Sequence, residues 1–397
     1  MKILQVIPFF VPAFDFGGPV SVAYNSAKML VKRGHEVTVY TTDTFGLRGR
    51  ITKKEEIIDG IRVKRFRNLS NSFAYHHNIY LAPNMNSEIK KELNKFDIIH
   101  LHDYRNMQNI TVHNYARKYG IPYVLQAHGS LPRIMTKQGL KQVYDKLWGY
   151  HLLTDASRLI ALTQTEVEQY KSMGVCEENI EIIPNGIDLG EYDNLPPIGD
   201  FRKKWNIPND QKLILFLAKI HKIKGPDLLA KAFAKISKHN NNLKLVFVGP
   251  DSGYLSSLKK MIEELEIKEN VLFTGPLYGT DKLEAYIDAD VYALPSVSEA
   301  FPISVIESCG CGTPVIVTDR CGIANIIDGQ VGLVVPYDED ALGKAILNIL
   351  SDVNKRQEYS IKGKLMVHEK LNWTNIAQQL ETVYIDCLSS NSICFRK

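Results

Sequence analysis

Two glutamates, Glu299 and Glu307, flank the segment Ala-Phe-Pro-Ile-Ser-Val-Ile, which follows a predicted strand. Pro302 suits the first turn of a helix, and a helix beginning there presents free N–H groups at Ile303 and Ser304 and the positive end of its dipole. That end of a helix binds anions such as phosphate, and a carboxylate beside it can accept hydrogen bonds from sugar or ribose hydroxyls. The spacing alone would favour two exposed surface acids, but the apolar surroundings and the glycine-rich flanks argue against an exposed helix.

A second cluster of charge follows the first predicted strand of the second half, in the segment Leu-Ala-Lys-Ile-His-Lys-Ile-Lys-Gly-Pro that ends at Pro226. Lys219, Lys222 and Lys224 precede a helix N-terminus, whose dipole repels cations, so an anion is expected to neutralise them. A diphosphate leaving group fits this arrangement because its negative charge grows as the bond breaks. A solvated basic turn is the alternative.

Two loops in the first half also follow predicted strands. His128 could donate to a sugar hydroxyl or act as an acid or a base, although a lone histidine is more often structural. Gly17 and Gly18, between the first strand and the first helix, allow a ligand to approach the backbone closely, or serve a tight turn alone.

Other signatures of function are missing from the sequence. Cys309, Cys311 and Cys321 lack a paired CxxC and a fourth ligand, so we expect buried thiols in a reducing cytosol rather than zinc. His100 and His102 alternate as in a strand end, which we favour over a metal site. Neither G-x-G-x-x-G nor a Walker A motif follows an opening strand, which argues against a dehydrogenase or a P-loop ATPase.

The composition is that of an ordinary globular protein: 397 residues, 45% hydrophobic and 23% charged. This excludes a disordered or fibrous chain and suggests two or three domains. No apolar run approaches the roughly 18–20 residues that span a bilayer. The N-terminal segment is too short for a secretory signal. We therefore expect a cytoplasmic protein.

The net charge of +4 is spread unevenly along the chain. Residues 1–190 hold 24 Lys and Arg against 18 Asp and Glu, whereas residues 191–397 hold 24 against 26. A basic first half, with Arg48, Arg50, Lys53 and Lys54, could contact anionic lipid on the inner face of the cell membrane. A merely solvated basic surface is the alternative. Nucleic acid is not expected as a partner, because no motif for it occurs.

Short β-branched runs alternate with helix-period segments, which is typical of a parallel sheet covered by helices. The predicted strands are Ile3–Pro8, Glu36–Thr42, Ile98–Leu101, Tyr123–Ala127, Arg158–Leu162, Glu181–Ile183, Leu213–Ala218, Lys244–Val248, Val271–Thr274, Val291–Leu294, Pro314–Thr318 and Val331–Val335. The alternation stops near Ile183–Asp188 and restarts after Gly199, which predicts two successive α/β domains joined by a linker. Ligands of such sheets bind in a cleft at the carboxyl ends of the strands.

In combination, these residues resemble glycosyltransferase family 4, retaining sugar-nucleotide transferases of the GT-B fold. The resemblance runs from Met1 to about Leu388. Its most specific part, Ser298–Val315, is similar to the family's Glu-x7-Glu motif followed by small residues and Gly-x-Pro-Val. The Gly-Gly loop, His128, Pro184-Asn-Gly-Ile-Asp188 and Lys224-Gly225 occur in the family's order.

The resemblance implies a fold and an organisation. Two Rossmann-like, doubly wound α/β domains would face each other across a cleft. Residues 1–190 would form the acceptor-side domain and residues 191–372 the nucleotide-sugar donor domain. A C-terminal helix, within 373–397, would cross back to the first domain.

The resemblance also implies roles for individual residues. Lys219 and Lys224 would hold the donor diphosphate, Glu307 the ribose and Glu299 the donor sugar. His128 would contact that sugar from the other domain. The resemblance implies as catalytic residues His128, Lys219, Lys224 and Glu299, and as donor-binding residues Gly17, Gly18, Phe301, Pro302, Ile303, Ser304 and Glu307.

Two positions depart from the family pattern. Position 219 normally carries arginine, and lysine lacks the bidentate fork of a guanidinium. Position 302 carries Pro where Gly is common, which removes one backbone donor. Either change could alter the choice of donor or the rate.

The implied activity is transfer of a hexose-type sugar, with retention, from a nucleoside-diphosphate sugar to a hydroxyl of a growing, lipid-linked glycan. No metal or other cofactor is expected, because lysines and helix termini take the place of a divalent cation at the diphosphate. The alternatives are an inverting GT-B transferase or a sugar-nucleotide epimerase. A non-enzymatic alternative is a catalytically silent GT-B subunit that stabilises a partner transferase.

Overall fold

The computed structural model describes residues 1–46, 49–77, 79–133 and 138–389, with the backbone alone at positions 15 and 75. These residues form two compact units. Unit 1 runs from Met1 to Asn185 and also holds the helix that begins at Trp373, whereas unit 2 runs from Gly186 to Asn372. The boundary lies a few residues before position 190, the end of the predicted first domain. Arg48, one of the cations predicted to face lipid, lies outside the described residues.

Unit 1 is a layered α/β domain. Its described strands are β1 (Lys2–Val6), β2 (Glu36–Thr42), β3 (Thr44–Phe45), β4 (Gly49–Arg50), β5 (Glu55–Ile58), β6 (Ile61–Phe66), β7 (Ile98–His102), β8 (Tyr123–Gln126), β9 (Arg158–Ala161) and β10 (Ile180–Ile182). Its described helices are α1 (Gly18–Lys32), α2 (Asn71–His77), α3 (Pro83–Glu92), α4 (Met107–Tyr119), α5 (Gln138–Tyr144), α6 (Tyr150–Thr154), α7 (Gln164–Ser172) and, after those of unit 2, α16 (Trp373–Ser389). A π-helical turn, Asp145–Gly149, joins α5 to α6.

Unit 2 repeats the same architecture. Its strands are β11 (Lys212–Leu217), β12 (Leu243–Val248), β13 (Val271–Gly275), β14 (Val291–Leu294), β15 (Val315–Thr318) and β16 (Gly332–Val335). Its helices are α8 (Asp200–Lys204), α9 (Pro226–Ser237), α10 (Leu255–Glu264), α11 (Gly279–Asp288), α12 (Ile303–Cys311), α13 (Ala324–Ile327), α14 (Glu339–Ser351) and α15 (Val353–Glu369).

The order of the strands reverses once in each unit. In unit 1 the order is β10-β9-β8-β7-β1-β2-β6-β5, parallel except for the hairpin of β5 and β6, so that it reverses at β1 and β7. In unit 2 the order is β13-β12-β11-β14-β15-β16, parallel throughout, and it reverses at β11 and β14. Each unit is therefore a Rossmann-like, doubly wound domain, as predicted. Open sheets of this kind bind ligands beside the carboxyl ends of the two strands at the reversal.

The sequence analysis missed one interior strand, β6. Its sequence Ile-Arg-Val-Lys-Arg-Phe carries three cations and does not resemble a buried run. The structure buries two of them in ion pairs: Lys64 contacts Glu88 and Glu92 at 2.7 and 2.5 Å, and Arg65 pairs with Glu56. The partners are distant in sequence or on the other arm of the hairpin, so local patterning could not reveal them.

Helix α16 packs within unit 1, where it makes polar contacts with the sheet and with the end of helix α1. Glu381 accepts hydrogen bonds from His35 at 2.8 Å and from the Nε of Arg33 at 2.7 Å. On its buried face, the Tyr384 hydroxyl lies 2.7 Å from Nδ1 of His100 in β7. The C-terminal helix thus returns to the first domain, as predicted. Of the helices in the described ranges, none combines the length and the apolar composition needed to cross a bilayer.

Three histidines stack next to this contact; His100 and His102 are fully buried, and His128 is half-buried. The rings of His100 and His102 lie 4.1 Å apart, and His102 Nδ1 lies 2.9 Å from Nε2 of His128. Burial lowers the pKa of His100 and of His128 to about 3, and it lowers the pKa of His102 well below the ordinary value. Burial has the opposite effect on the adjacent carboxyl of Asp103, whose pKa rises to about 7.

Acid should therefore destabilise unit 1. Below pH 6.5 the unfolded chain protonates these histidines and the folded protein does not, so each lowers the free energy of unfolding by up to about 1.4 kcal/mol per pH unit. Asp103 has the opposite effect and offsets the contribution of one histidine. Between about pH 7 and pH 4 its carboxyl is protonated in the folded protein but ionised in the unfolded chain, so it raises the free energy of unfolding as the pH falls. We expect the urea midpoint to fall between pH 7 and pH 5.5.

The variant Asp103→Asn isolates the two contributions. Asparagine tolerates the left-handed backbone of this position, φ 62°, and it removes the offset. The decrease in stability with falling pH should steepen by about 1.4 kcal/mol per pH unit. His239→Gln, at an exposed site in unit 2, should leave it unchanged. Stability that stays flat from pH 7 to pH 5.5 in both the parent and the asparagine variant would contradict the prediction.

Candidate functional site

Unit 2 brings the lysine loop and the glutamate loop into contact. The first follows β11 and the second follows β14, the two strands at the reversal. At Gly225, φ is +69°, and a Cβ added there would lie 1.9 Å from the carbonyl oxygen of Pro295. Close by, the Val297 N–H donates to the Ile223 carbonyl at 2.8 Å. Any side chain at position 225 would force the two loops apart.

This contact places two predicted site residues side by side. The Lys224 ammonium donates to the Glu299 carboxylate, and the two side chains are only 25% and 17% exposed. Lys219 is half-buried just beyond β11, and Lys222 on the same loop is exposed. The site is therefore an enclosed ion pair with a second lysine on the same loop, rather than two surface acids and a solvated basic turn.

The backbone around Glu299 is held from its other side as well. The Gly322 N–H donates to the Glu299 carbonyl at 2.8 Å, and the Thr318 hydroxyl donates to the Ser296 carbonyl at 2.6 Å. Both donors belong to β15 or to the loop after it. The backbone that carries the Glu299 side chain is therefore fixed by contacts within unit 2.

Helix α12 begins one residue later than predicted. Pro302 is its N-cap, with φ −73° and ψ 119°, rather than part of its first turn, and Ile303 is the first helical residue. No side chain caps this end, and no acidic residue lies in the first turn. Ile303 and Ser304 are half-buried, while Phe301 and Pro302 are buried. The N–H groups and the dipole of this terminus can thus serve an anion.

Glu307, one turn along α12, is held by two residues of α11. Its Oε1 lies 2.7 Å from the Lys282 ammonium, and its Oε2 accepts a hydrogen bond from the Tyr286 hydroxyl at 3.0 Å. The side chains of Lys282 and Glu307 are 18% and 15% exposed. Neither partner belongs to a motif that the sequence analysis recognised, because the two helices meet only in the folded chain.

In unit 1 the two predicted glycines lie where the chain leaves β1. Gly17 adopts φ 98° and ψ −155°, and Gly18 begins helix α1 with Pro19 in its first turn. This helix end also has no side-chain cap and no acidic residue in the first turn. The loop therefore exposes backbone at the reversal of the sheet, beside the carboxyl end of β1.

His128 follows β8 with φ 52°, a left-handed conformation that is uncommon for residues other than glycine. The buried Glu166 carboxylate fixes its loop by accepting the Gly129 N–H at 2.8 Å and the Leu162 N–H at 2.7 Å. Because Nε2 of His128 bonds His102, Nδ1 is the ring nitrogen left for other contacts. The predicted catalytic histidine is thus a neutral, oriented imidazole.

Asp103 is an ionisable residue at the same end of the sheet that the sequence analysis did not single out. It lies half-buried at the carboxyl end of β7, near Tyr80, whose hydroxyl is buried with no partner among the described residues. Burial and the Asp103 charge both raise the pKa of Tyr80. Phe9 and Phe16 stack at 4.8 Å, and Tyr80 lies 5.5 Å from Phe9. The feature of the sequence that could have identified Asp103 is a carboxyl group directly after a strand.

No group of three or more His, Cys, Asp or Glu side chains in the described ranges is arranged to hold a metal ion. His100 and His102 are strand residues, as predicted. Cys309, Cys311 and Cys321 are buried, and burial raises the pKa of each thiol to about 12.

Comparison with known proteins identifies the family. Residues 16–191 match the family described as Glycosyltransferase Family 4, and residues 198–366 match Glycosyl transferases group 1. The chain is 30% identical to an uncharacterized glycosyltransferase of Methanocaldococcus jannaschii, over 97% of this chain and 98% of that protein. It is 26% identical to a D-inositol 3-phosphate glycosyltransferase of Acidothermus cellulolyticus, over 94% of this chain and 87% of that protein.

One relative and two solved structures are also informative. An α-monoglucosyldiacylglycerol synthase of Streptococcus pneumoniae is 30% identical, over 53% of this chain and 48% of that protein. Sucrose-phosphate synthase from Thermosynechococcus elongatus superposes with a TM-score of 0.79, at 21% identity, over 97% of this chain and 99% of that one. Anabaena HepE in complex with UDP and glucose superposes with a TM-score of 0.77, at 19% identity, over 97% of this chain and 100% of that one.

The two family matches together span both units. The similarity to the M. jannaschii relative extends over nearly the full length of both chains, and the solved structures have the same fold. The chain belongs to glycosyltransferase family 4, the group 1 glycosyl transferases, and is a glycosyltransferase of the GT-B fold.

Proposed function

We propose that the protein transfers a hexose-type sugar, with retention, from a nucleoside-diphosphate sugar to a hydroxyl of a growing, lipid-linked glycan. The donor would lie in unit 2, where Lys219 and Lys224 meet its diphosphate, Glu307 its ribose and Glu299 its sugar. The catalytic residues would be His128, Lys219, Lys224 and Glu299. Gly17, Gly18 and the stretch from Phe301 to Ser304 would complete the contacts to the donor.

One observation carries this proposal: the Lys224–Glu299 ion pair lies between the loops that end β11 and β14, followed at once by the uncapped start of α12. A cation, a carboxylate and a helix N-terminus in this order match a phosphate with a sugar attached to it. A nucleotide sugar is also consistent with the UDP and glucose in the HepE complex.

The reaction replaces one bond to the anomeric carbon by another. The bond from that carbon to the diphosphate oxygen breaks, and a bond to the acceptor oxygen forms on the same face of the sugar. The acceptor proton then goes to the departing diphosphate. Lys224 and the start of α12 would stabilise the charge that develops on the diphosphate, which is where such groups lower a barrier most. His128, kept neutral by burial, would serve as a hydrogen-bonding partner of the sugar rather than as a cation.

A lipid-linked acceptor has support from two sides. Among the relatives, the S. pneumoniae synthase is named for a glycolipid product. In unit 1, Leu140, Val143 and Leu147 are 68%, 53% and 56% exposed on α5 and the following π turn, with Lys146 exposed beside them. Apolar side chains flanked by lysine suit the surface of an anionic bilayer. A cytoplasmic protein resting on the inner face of the membrane fits both observations.

The basic segment that suggested lipid contact is a weaker candidate. Arg50 pairs with Asp43 at 2.8 Å, and Lys53 lies 3.4 Å from Glu56, while Lys54 is exposed. Arg50 is thus largely neutralised within the protein, whereas Lys53 is exposed and shares Glu56 with the buried Arg65. The proposed membrane contact therefore centres on α5.

Three alternatives are separated from this proposal by simple measurements. NMR of the anomeric proton in the product distinguishes retention from inversion, and it reveals an epimerase by the absence of transfer. A catalytically silent subunit would neither transfer sugar nor hydrolyse the donor. The enclosed Lys224–Glu299 pair favours the active enzyme.

Lys224→Ala should lower kcat at least about a hundredfold. The lost ammonium would act mainly in the transition state, and removal of one such donor typically costs about 3–4 kcal/mol. Lys219→Arg should be tolerated, because the guanidinium suits a diphosphate. Steady-state kinetics with the true donor measure both. Lys231→Ala removes an exposed lysine of α9 outside the site and is the matched control, which should keep the parental kcat. Near-normal kcat in Lys224→Ala would move the role elsewhere, with Lys222 as the next candidate.

Activity should survive EDTA, because lysines and a helix N-terminus supply the positive charge that a divalent cation would otherwise bring to the diphosphate. The test compares initial rates in chelator with rates in added Mg²⁺. Loss of activity in EDTA that Mg²⁺ restores would contradict the expectation.

Leu140→Ser/Leu147→Ser should reduce sedimentation with anionic liposomes more than tenfold, since each buried leucine contributes about 1.5–3 kcal/mol. The remaining binding should weaken further with salt. Ile361→Ser/Leu365→Ser removes two exposed apolar residues of α15 in unit 2, 65% and 53% exposed, and should bind like the parent. If both double variants sediment equally well, α5 is not the contact.

A further inference from the structure

We propose that Lys282 and Tyr286 position the Glu307 carboxylate for the two ribose hydroxyls of a nucleoside diphosphate, so that together they select ribonucleotides over 2′-deoxyribonucleotides. The inference rests on the proposed function, in which Glu307 holds the ribose. It adds two residues of helix α11 that no motif of the sequence distinguishes and assigns them a measurable specificity.

The geometry fixes the plane of the carboxylate. Lys282 contacts Oε1 at 2.7 Å, and Tyr286 donates to Oε2 at 3.0 Å. A carboxylate has about four positions that accept hydrogen bonds, so each oxygen keeps one for a ligand. With both oxygens anchored from α11, the free positions point in fixed directions, and a pair of adjacent hydroxyls can bind both at once.

The anchors are themselves rigid. Tyr286 is completely buried, packs edge-to-face on Tyr292 at 5.7 Å, and its carbonyl accepts the Thr313 hydroxyl at 2.5 Å. Burial alone would lower the pKa of Lys282, but the Glu307 charge more than compensates, so the pKa lies above its ordinary value. The lysine therefore stays an ammonium at every pH at which the enzyme would be assayed.

The charge of Lys282 has a second effect. A nucleoside diphosphate is strongly anionic, and an unpaired Glu307 would repel it at short range. The ammonium neutralises the carboxylate while leaving its oxygens able to accept hydrogen bonds. Lys282 thus acts through Glu307, as a positioning residue for the nucleotide.

The test measures a ratio of affinities. Calorimetry with UDP, GDP and ADP first finds the diphosphate that the parent protein binds best, and its 2′-deoxy form is then compared. Because a hydrogen bond to a charged group corresponds to roughly a tenfold or larger difference in affinity, the parent should prefer the ribonucleotide about tenfold. Lys282→Met should reduce that preference to within about twofold and weaken the binding of both nucleotides. Tyr286→Phe should reduce the preference partially.

Two further variants separate positioning from a general effect on folding. Lys282→Arg keeps the charge and should keep the preference for ribose. Lys204→Met breaks another lysine contact to α11, the 2.7 Å ion pair with Asp281, and should leave the ratio at the parental value. A merely structural role for Lys282 would lower affinity for both nucleotides equally and leave the ratio intact.

The outcomes distinguish failure of this inference from failure of the proposed function. If the parent prefers the ribonucleotide and Lys282→Met retains that preference, the positioning role is wrong while the donor site stands. If the parent binds none of the three diphosphates, or does not distinguish ribose from 2′-deoxyribose, the role of Glu307 in the proposed function falls, and this inference falls with it.

Discussion

The close approach of Gly225 to Pro295 is the constraint on which the candidate site of unit 2 depends. With 1.9 Å between a hypothetical Cβ and a carbonyl oxygen, no side chain fits at position 225 without moving the backbone. The contact joins the loops after β11 and β14 at the reversal of the sheet. It thereby sets how near Lys224 can come to Glu299, and where the start of α12 lies relative to both.

The site is organised as pairs of opposite charge rather than as isolated ions. Lys224 pairs with Glu299, and Lys282 pairs with Glu307. Mostly buried single charges would be costly, whereas a paired carboxylate keeps lone pairs for hydroxyl groups at lower cost. In unit 1 the corresponding groups are neutral, because burial holds His100, His102 and His128 in the unprotonated form.

Much of the fold could be predicted from the sequence, because buried parallel strands are apolar and β-branched, and the motif residues lie directly after them. The failures have a common cause. β6 was missed because its lysine and arginine are buried only through partners elsewhere in the fold. Lys282 and Tyr286 were missed because they reach Glu307 across a helix–helix contact, and Asp103 because its environment, not its spacing, distinguishes it. Long-range pairing of charge leaves no local pattern.

The two departures from the family pattern are compatible with this geometry for a physical reason. Pro302 lies outside α12 as its N-cap, where ψ of 119° is extended, so the proline removes only its own N–H. The N–H groups of Ile303 and Ser304 remain available, and the fixed φ of proline restricts the approach of the loop to the helix. Lys219 presents a point charge instead of a fork, on the same loop as a lysine already paired with a carboxylate. In the proposed donor site, neither lysine of this loop offers the bidentate fork of a guanidinium, so the orientation of a diphosphate would depend more on the helix terminus.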